Sequence, residues 1–165
     1  MCTARETNTD REVHTMLTTR FGIEIEFTGI TRETAARTAA AYLNGTCEYI
    51  GTYYRTYEVA QADGRKWKFI SDGSINTQRK ENGQKVRADK DYSVEMVSPI
   101  LTYREDIETL QGLVRELRKA GGFPNNSCGI HIHLDGANHT PKSIRNFIFL
   151  TLSVEERFIG WRTRK

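Results

Sequence analysis

The chain has 165 residues, 24 basic against 21 acidic side chains and a net charge of +3; a balance this even leaves no basic footprint for nucleic acid, and no apolar run approaches the length of a membrane span. Hydrophobic residues make up 38% and charged residues 27% of the sequence, which suits one packed domain and excludes a compositionally disordered chain. Cys2, Cys47 and Cys128 show no Cys-x-x-Cys spacing and no apolar leader precedes them, so a reducing, cytoplasmic setting is expected rather than a disulfide framework or zinc ribbon.

Residues 1–18 are polar and unpatterned and are read as a mobile arm ahead of a single domain at 19–165. Residues 20–28, RFGIEIEFT, alternate as a strand: Phe21, Ile23, Ile25 and Phe27 on one face, Gly22, Glu24, Glu26 and Thr28 on the other. Thr31 offers an N-cap, Glu33 an acidic first turn, and an alanine-rich helix runs to the stop signal Asn44-Gly45. Residues 48–59, rich in tyrosine and β-branched side chains, read as one strand. The turn signal at Ala62-Asp63-Gly64-Arg65 returns the chain through a strand at 66–71 into Asp72-Gly73-Ser74. Residues 78–91 read as a charged loop with Asn82-Gly83 at its tip, and 92–100 as a strand ended by Pro99.

Ile107, Leu110, Leu113, Val114 and Leu117 recur at helical spacing across 104–120, and Gly121-Gly122 stops that helix. In 125–136, NNSCGIHIHLDG, a second alternating strand puts Cys128, Ile130, Ile132 and Leu134 on one face and Gly129, His131, His133 and Asp135 on the other. Thr140-Pro141 then opens a helix with Ile144, Phe147, Ile148, Phe149, Leu150 and Leu152, an apolar surface wider than one stripe. That surface predicts self-association or a partner chain. The order β-α-β-β-β-α-β-α predicts an α+β fold with helices on one side of a largely antiparallel sheet.

The chemistry lies where the two alternating strands match. An isolated His-x-His is more often a half-exposed strand face than a ligand pair, and an exposed Glu-x-Glu is commonly just solvated. Both motifs together, each backed by a clean apolar face, are harder to dismiss. Two carboxylates at i and i+2 repel unless a proton or cation lies between them. Carboxylate oxygens with imidazole suit Mg²⁺ or Mn²⁺ better than a thiolate-bound metal. Glu95, between Val94 and Met96, is a third carboxylate that belongs with Glu24 and Glu26 if its strand shares their face. Asp72-Gly73-Ser74 alone is a turn with an Asx bond. Tyr53, Tyr57 and Trp67 read as core or sheet-face residues, Arg32 and Arg104 as solvated, and Cys128 as packing.

Taken in order, FGIEIEF, WKFISDGSI, VEMVSPIL and GGFPNNSCGIHIHLDG resemble the amidoligase family, a branch of the glutamine-synthetase-like carboxylate–amine ligases. The resemblance runs from about Arg20 to about Phe158. It implies a curved, largely antiparallel sheet of the glutamine-synthetase-like catalytic type, holding ATP and Mg²⁺ or Mn²⁺ on its concave face. It also implies amide formation between a small-molecule or peptide carboxylate and an amine, through an acyl phosphate. Carried over by motif, Glu24, Glu26, Glu95 and His131 are metal ligands, with Glu24, Glu95 and His131 as the catalytic set. Glu26 and His133 lie against the nucleotide, and Asp72, Ser74 and Asn126 beside the substrate. Such chemistry needs in-line positioning and charge neutralisation, and the chain has no G-x-x-x-x-G-K-[ST] phosphate loop to supply them. Members of the family usually continue past the helix that follows His-x-His. A chain ending at Lys165 is therefore expected to be a truncated, C-terminally incomplete ligase.

Two other readings compete. One is an inactive metal- or nucleotide-binding remnant. The other is a metal-dependent hydrolase using His131 and His133; a cupin would need a glutamate shortly after His-x-His, which 134–140 lacks, and an amidohydrolase barrel needs a longer chain.

Overall fold

The computed structural model describes residues 18–136, 139–146, 148 and 149. The expected arm at 1–18 therefore lies outside the described residues except for Thr18, as do Phe147, Leu150 and Leu152. In chain order the elements are β1 (Arg20–Phe27), α1 (Arg32–Leu43), β2 (Thr46–Tyr49), β3 (Tyr57–Ala60), β4 (Lys66–Ile70), β5 (Gln78–Glu81) and β6 (Gln84–Arg87). A single 3-10 turn (Lys90–Tyr92), β7 (Val94–Val97), β8 (Leu101–Thr102), α2 (Tyr103–Lys119) and β9 (Ile130–Leu134) follow.

Every pairing in the main sheet is antiparallel. The seven strands run β2-β3-β4-β7-β1-β8, with β9 also on β1. Phe21 faces both Leu101 of β8 and Leu134 of β9, and Glu24 faces both Val97 of β7 and His131 of β9. So β7 and β8 share one edge of β1, and β9 takes the other. Pro99 cannot donate to a ladder, and the strand expected over 92–100 splits there. Ser98 bridges the break: its N–H donates to the Ile23 carbonyl at 2.9 Å, and its Oγ accepts from the Ile23 N–H at 2.9 Å.

One face of this sheet packs on both helices. Phe27, Val59, Trp67, Phe69, Val94, Met96 and Leu101 form a single buried cluster with Ala35, Ala36, Ala39 and Leu43 of α1 and Leu110, Leu113 and Leu117 of α2. The alanines bring the α1 backbone close to the bulky Trp67 and Phe69. Thr31 caps α1 by accepting from the Thr34 N–H, and Asn44 ends it in the left-handed conformation. At the start of α2 the Thr102 side chain makes no cap bond; the Asp106 carboxylate reaches back instead, accepting from the Thr102 N–H at 2.8 Å and from Arg65 at 2.5 Å.

Two other sequence expectations change. The strand expected over 48–59 is interrupted between β2 and β3, where Gly51 and Arg55 take positive φ. The charged loop expected over 78–91 is mostly a hairpin, β5 and β6, turning on Asn82 (φ 51°) and Gly83 (φ 82°). Two successive positive φ values are what a two-residue hairpin turn requires, and Asn-Gly supplies them.

Thr28, fully buried, ties three segments together. Its N–H and carbonyl pair with Phe123, and its hydroxyl donates to the Gln78 carbonyl and accepts from the Gln78 N–H, both at 2.8 Å. The next residue, Gly29, has φ 100°, and a Cβ there would meet the Gly121 carbonyl at 2.4 Å.

The chain divides into two compact units after Leu134. In the second, residues 141–146 are helical, and Thr140 Oγ1 accepts from the Ser143 N–H while Ser143 Oγ accepts from the Thr140 N–H. Ile144, Ile148 and Phe149 of this segment are exposed. No helix among the described residues is long and apolar enough to cross a membrane.

Candidate functional site

Cross-strand partners in an antiparallel sheet point to the same face. Glu26 faces Glu95, Glu24 faces His131, and Gly22 faces His133. Their strand neighbours Ile23, Ile25, Phe27, Val94 and Met96 belong to the core. All five candidate ligands therefore stand on the sheet face turned away from the helices. Glu26 and Glu95 are buried at 7% and 8% exposure, while both imidazoles are exposed. The apolar side of β9 differs from that of β1: Ile130, Ile132 and Leu134 are 62%, 63% and 70% exposed.

Glu24 is the hub. One of its oxygens meets His131 Nδ1 at 3.1 Å and the other meets His133 Nε2 at 3.3 Å. Ligand atoms of Glu24, Glu95 and His131 all lie within 4.8 Å of one another. Glu26 stands beside this triad with one oxygen committed, accepting from the Gly129 N–H at 2.7 Å.

The electrostatics follow from this crowding. Burial, then the negative charges of Glu24, Asp72 and Glu26, push the Glu95 carboxyl up to about 7. The nearness of Glu24 adds to that rise. Burial pushes Glu24 up as well, but its hydrogen bonds with the two imidazoles outweigh that and hold it below the ordinary carboxylate value. The hydrogen bond to Glu24 in turn raises His131, with Glu26 and Glu95 adding to it. Two carboxylates and an imidazole, with no thiolate among them, fit Mg²⁺ or Mn²⁺.

Asp72 is half-buried, and its turn forms the expected Asx bond, the Ser74 N–H donating to Oδ1 at 2.5 Å. The Ser74 hydroxyl, and after it that bond, lower its carboxyl, with His131 contributing through space. Its backbone is pinned at both ends to the buried Ser93 hydroxyl. Ser74 itself is exposed. Asn126 is exposed too, and its neighbour Asn125 does the structural work. Asn125 Nδ2 donates to the Asn76 carbonyl at 2.7 Å, and its Oδ1 accepts from the Ser127 N–H at 3.0 Å.

Asp72 also lines a cavity of about 940 Å³, walled by Arg32, Tyr53, Tyr54, Arg55, Gln78, Arg87 and Lys90 among others. None of the metal-type ligands lines it. Its link to them is Asp72, whose charge acts on both Glu95 and His131. The sequence reading missed this cavity. Arg32, expected to be solvated, is 2% exposed. Its guanidinium donates to the Lys90 and Ser93 carbonyls and to Asp91. Tyr53, expected in the core or on the sheet, is 94% exposed, whereas Trp67 is in the core as expected.

A family model described as "putative amidoligase enzyme" matches residues 17–164. No curated protein and no solved structure matches the chain.

Proposed function

Because the chain belongs to the amidoligase family, we propose that it joins a carboxylate to an amine at the expense of ATP, with Mg²⁺ or Mn²⁺. The observation that carries this reading is the triad Glu24, Glu95 and His131, built on three strands and strained by its own negative charge. In the proposed reaction the substrate carboxylate takes the γ-phosphoryl group of ATP, giving an acyl phosphate and ADP. The amine attacks the acyl carbon, phosphate leaves with the C–O bond, and the amine nitrogen loses a proton. When bound, the cation would neutralise charge on the transferring phosphoryl group.

The residues divide the remaining work. Glu24, Glu95 and His131 would hold the cation, and loss of the Glu95 proton would accompany its arrival. His133 braces the second oxygen of Glu24, which fixes that carboxylate's plane. Glu26, anchored by Gly129, keeps one oxygen for the cation's surroundings or the nucleotide. Asp72, whose carboxyl Ser74 lowers and which lines the cavity, would receive the incoming amine.

The test is phosphate release by the purified chain with ATP and Mg²⁺, with pooled carboxylic acids and with or without pooled amines. Amine-dependent phosphate release with an amide product supports the ligase. Metal-dependent hydrolysis indifferent to ATP supports the hydrolase, and no turnover beside retained Mn²⁺ binding supports the remnant.

A further inference from the structure

We propose that the cavity beside Asp72 takes the second carboxylate of a dicarboxylic acid substrate, through the guanidinium groups of Arg55 and Arg87 with Lys90 beside them. The inference rests on the ligase reading for the position of the first carboxylate, at the Glu24–Glu95–His131 triad.

Three observations point to an anionic occupant. First, the wall is over-supplied with cations. Arg32, Arg55, Arg87 and Lys90 line it, against Asp72 and Asp89, and a third aspartate, Asp91, pairs with both Arg32 and Arg55 at 2.8 and 3.2 Å. Four cations against three carboxylates leave one positive charge. Arg87 and Lys90 have no ion-pair partner among the described residues. Second, the carboxylates are already engaged: Asp89 accepts from the Asp91 N–H and Asp72 from the Ser74 N–H. Third, the wall carries unresolved local cost. Arg55 holds φ at 50°, a left-handed backbone rare outside glycine, asparagine and aspartate, and the buried Arg32 Nε has no hydrogen-bond partner. Strain of this kind collects at binding sites, where a ligand can offset it.

The charge count selects the ligand. One uncompensated positive charge matches a singly charged carboxylate, whereas a dianionic phosphate would overshoot it. A guanidinium fork also binds a planar carboxylate through two parallel hydrogen bonds. About 940 Å³ is ample for the body of a small diacid.

The experiment is calorimetry on the full chain with saturating Mg²⁺ and without nucleotide, so that the first carboxylate has its cation and binding is read apart from ligation. Succinate, glutarate and adipate sample the carboxylate spacing, and butyrate and inorganic phosphate are the comparison arms. The tightest diacid should bind at least tenfold more strongly than butyrate and than phosphate. Arg87→Gln, at an exposed side chain with no ion-pair partner among the described residues, should weaken that diacid at least fivefold and remove most of its advantage over butyrate. Arg55→Gln should do the same, checked by an unchanged thermal melt. Diacids no tighter than butyrate, phosphate equal to the diacids, or indifference to Arg87→Gln would each overturn the proposal. Arg87-dependent diacid binding without amine-dependent phosphate release would sink the ligase reading and keep this site. Brisk ligation of monocarboxylates, untouched by Arg87→Gln, would keep the ligase and sink the site.

Discussion

Glu95→Gln should stabilise the metal-free protein at alkaline pH. The carboxyl rises from 4.5 to about 7 on folding, from burial first and from Glu24, Asp72 and Glu26 after it. Each pKa unit is worth about 1.4 kcal/mol, so ionising Glu95 in the fold costs about 3 kcal/mol. The sign is that of an acid raised by folding. Between pH 4.5 and 7 the folded state keeps a proton that the unfolded chain has released, so stability falls as pH rises through this window and stays low above it. Glutamine is neutral throughout and sets no second charge against Glu24. Urea denaturation in EDTA should therefore place Glu95→Gln about 3 kcal/mol above the parent at pH 8, with the two converging near pH 4.5. Millimolar Mg²⁺ or Mn²⁺ should raise the parent and narrow the gap. A variant destabilised at pH 8, or an offset equal at both pH values, would refute the argument that the fold tolerates an electrostatic cost here.

Glu24→Gln removes the carboxylate that raises His131. The His131 resonance, followed by NMR, should titrate above 6.5 in the parent and move back toward that value in the variant, and Mn²⁺ affinity read by EPR should fall at least tenfold. In the parent the His131 contribution to stability is full below 6.5 and is lost as pH rises through the higher folded value. Asp106→Ala deletes both the bond to the Thr102 N–H and the ion pair with Arg65, and should cost about 2–4 kcal/mol in urea while leaving Mn²⁺ binding within twofold. Gly29→Ala adds a side chain at φ 100° and against the Gly121 carbonyl, so a loss of about 3 kcal/mol is expected, with a lowered Tm as the readout.

Local rules carried much of the fold. Period-two alternation found β1 and β9, and with them the face on which Glu24, Glu26, His131 and His133 stand. Thr31 and Asn44 marked the ends of α1 because capping is decided within a few residues. The same locality explains the failures. Residues 48–59 have strand composition throughout, and no residue there other than Gly51 announces that Arg55 will turn left-handed. Asn82-Gly83 did signal a turn, but the charged β5 and β6 have no apolar face, so alternation had nothing to register. Arg32 follows a helix cap, where an arginine is usually solvated. Its burial depends on carbonyls at Lys90 and Ser93, about sixty residues further on. The cavity was invisible for that reason: its wall combines segments near 32, 55, 72 and 87 that meet only in the folded chain.

The position of β9 has a consequence for the order of assembly. Its pairing with β1 closes a loop of more than a hundred residues: Glu26 meets Gly129 across 103 positions and Glu24 meets His131 across 107. The hairpins β3–β4 and β5–β6 close over a handful, and loop-closure entropy makes such short contacts the early ones. During synthesis, β1 leaves the ribosome ahead of all three strands that pair with it and waits for almost the whole unit before the imidazoles arrive. By loop length alone, Glu24 gains late the two imidazoles that lower its carboxyl, and the charge cluster is expected among the last features to form. A divalent cation bound to Glu24 and Glu95 before β9 docks would template the final strand, coupling the completion of the sheet to cation binding.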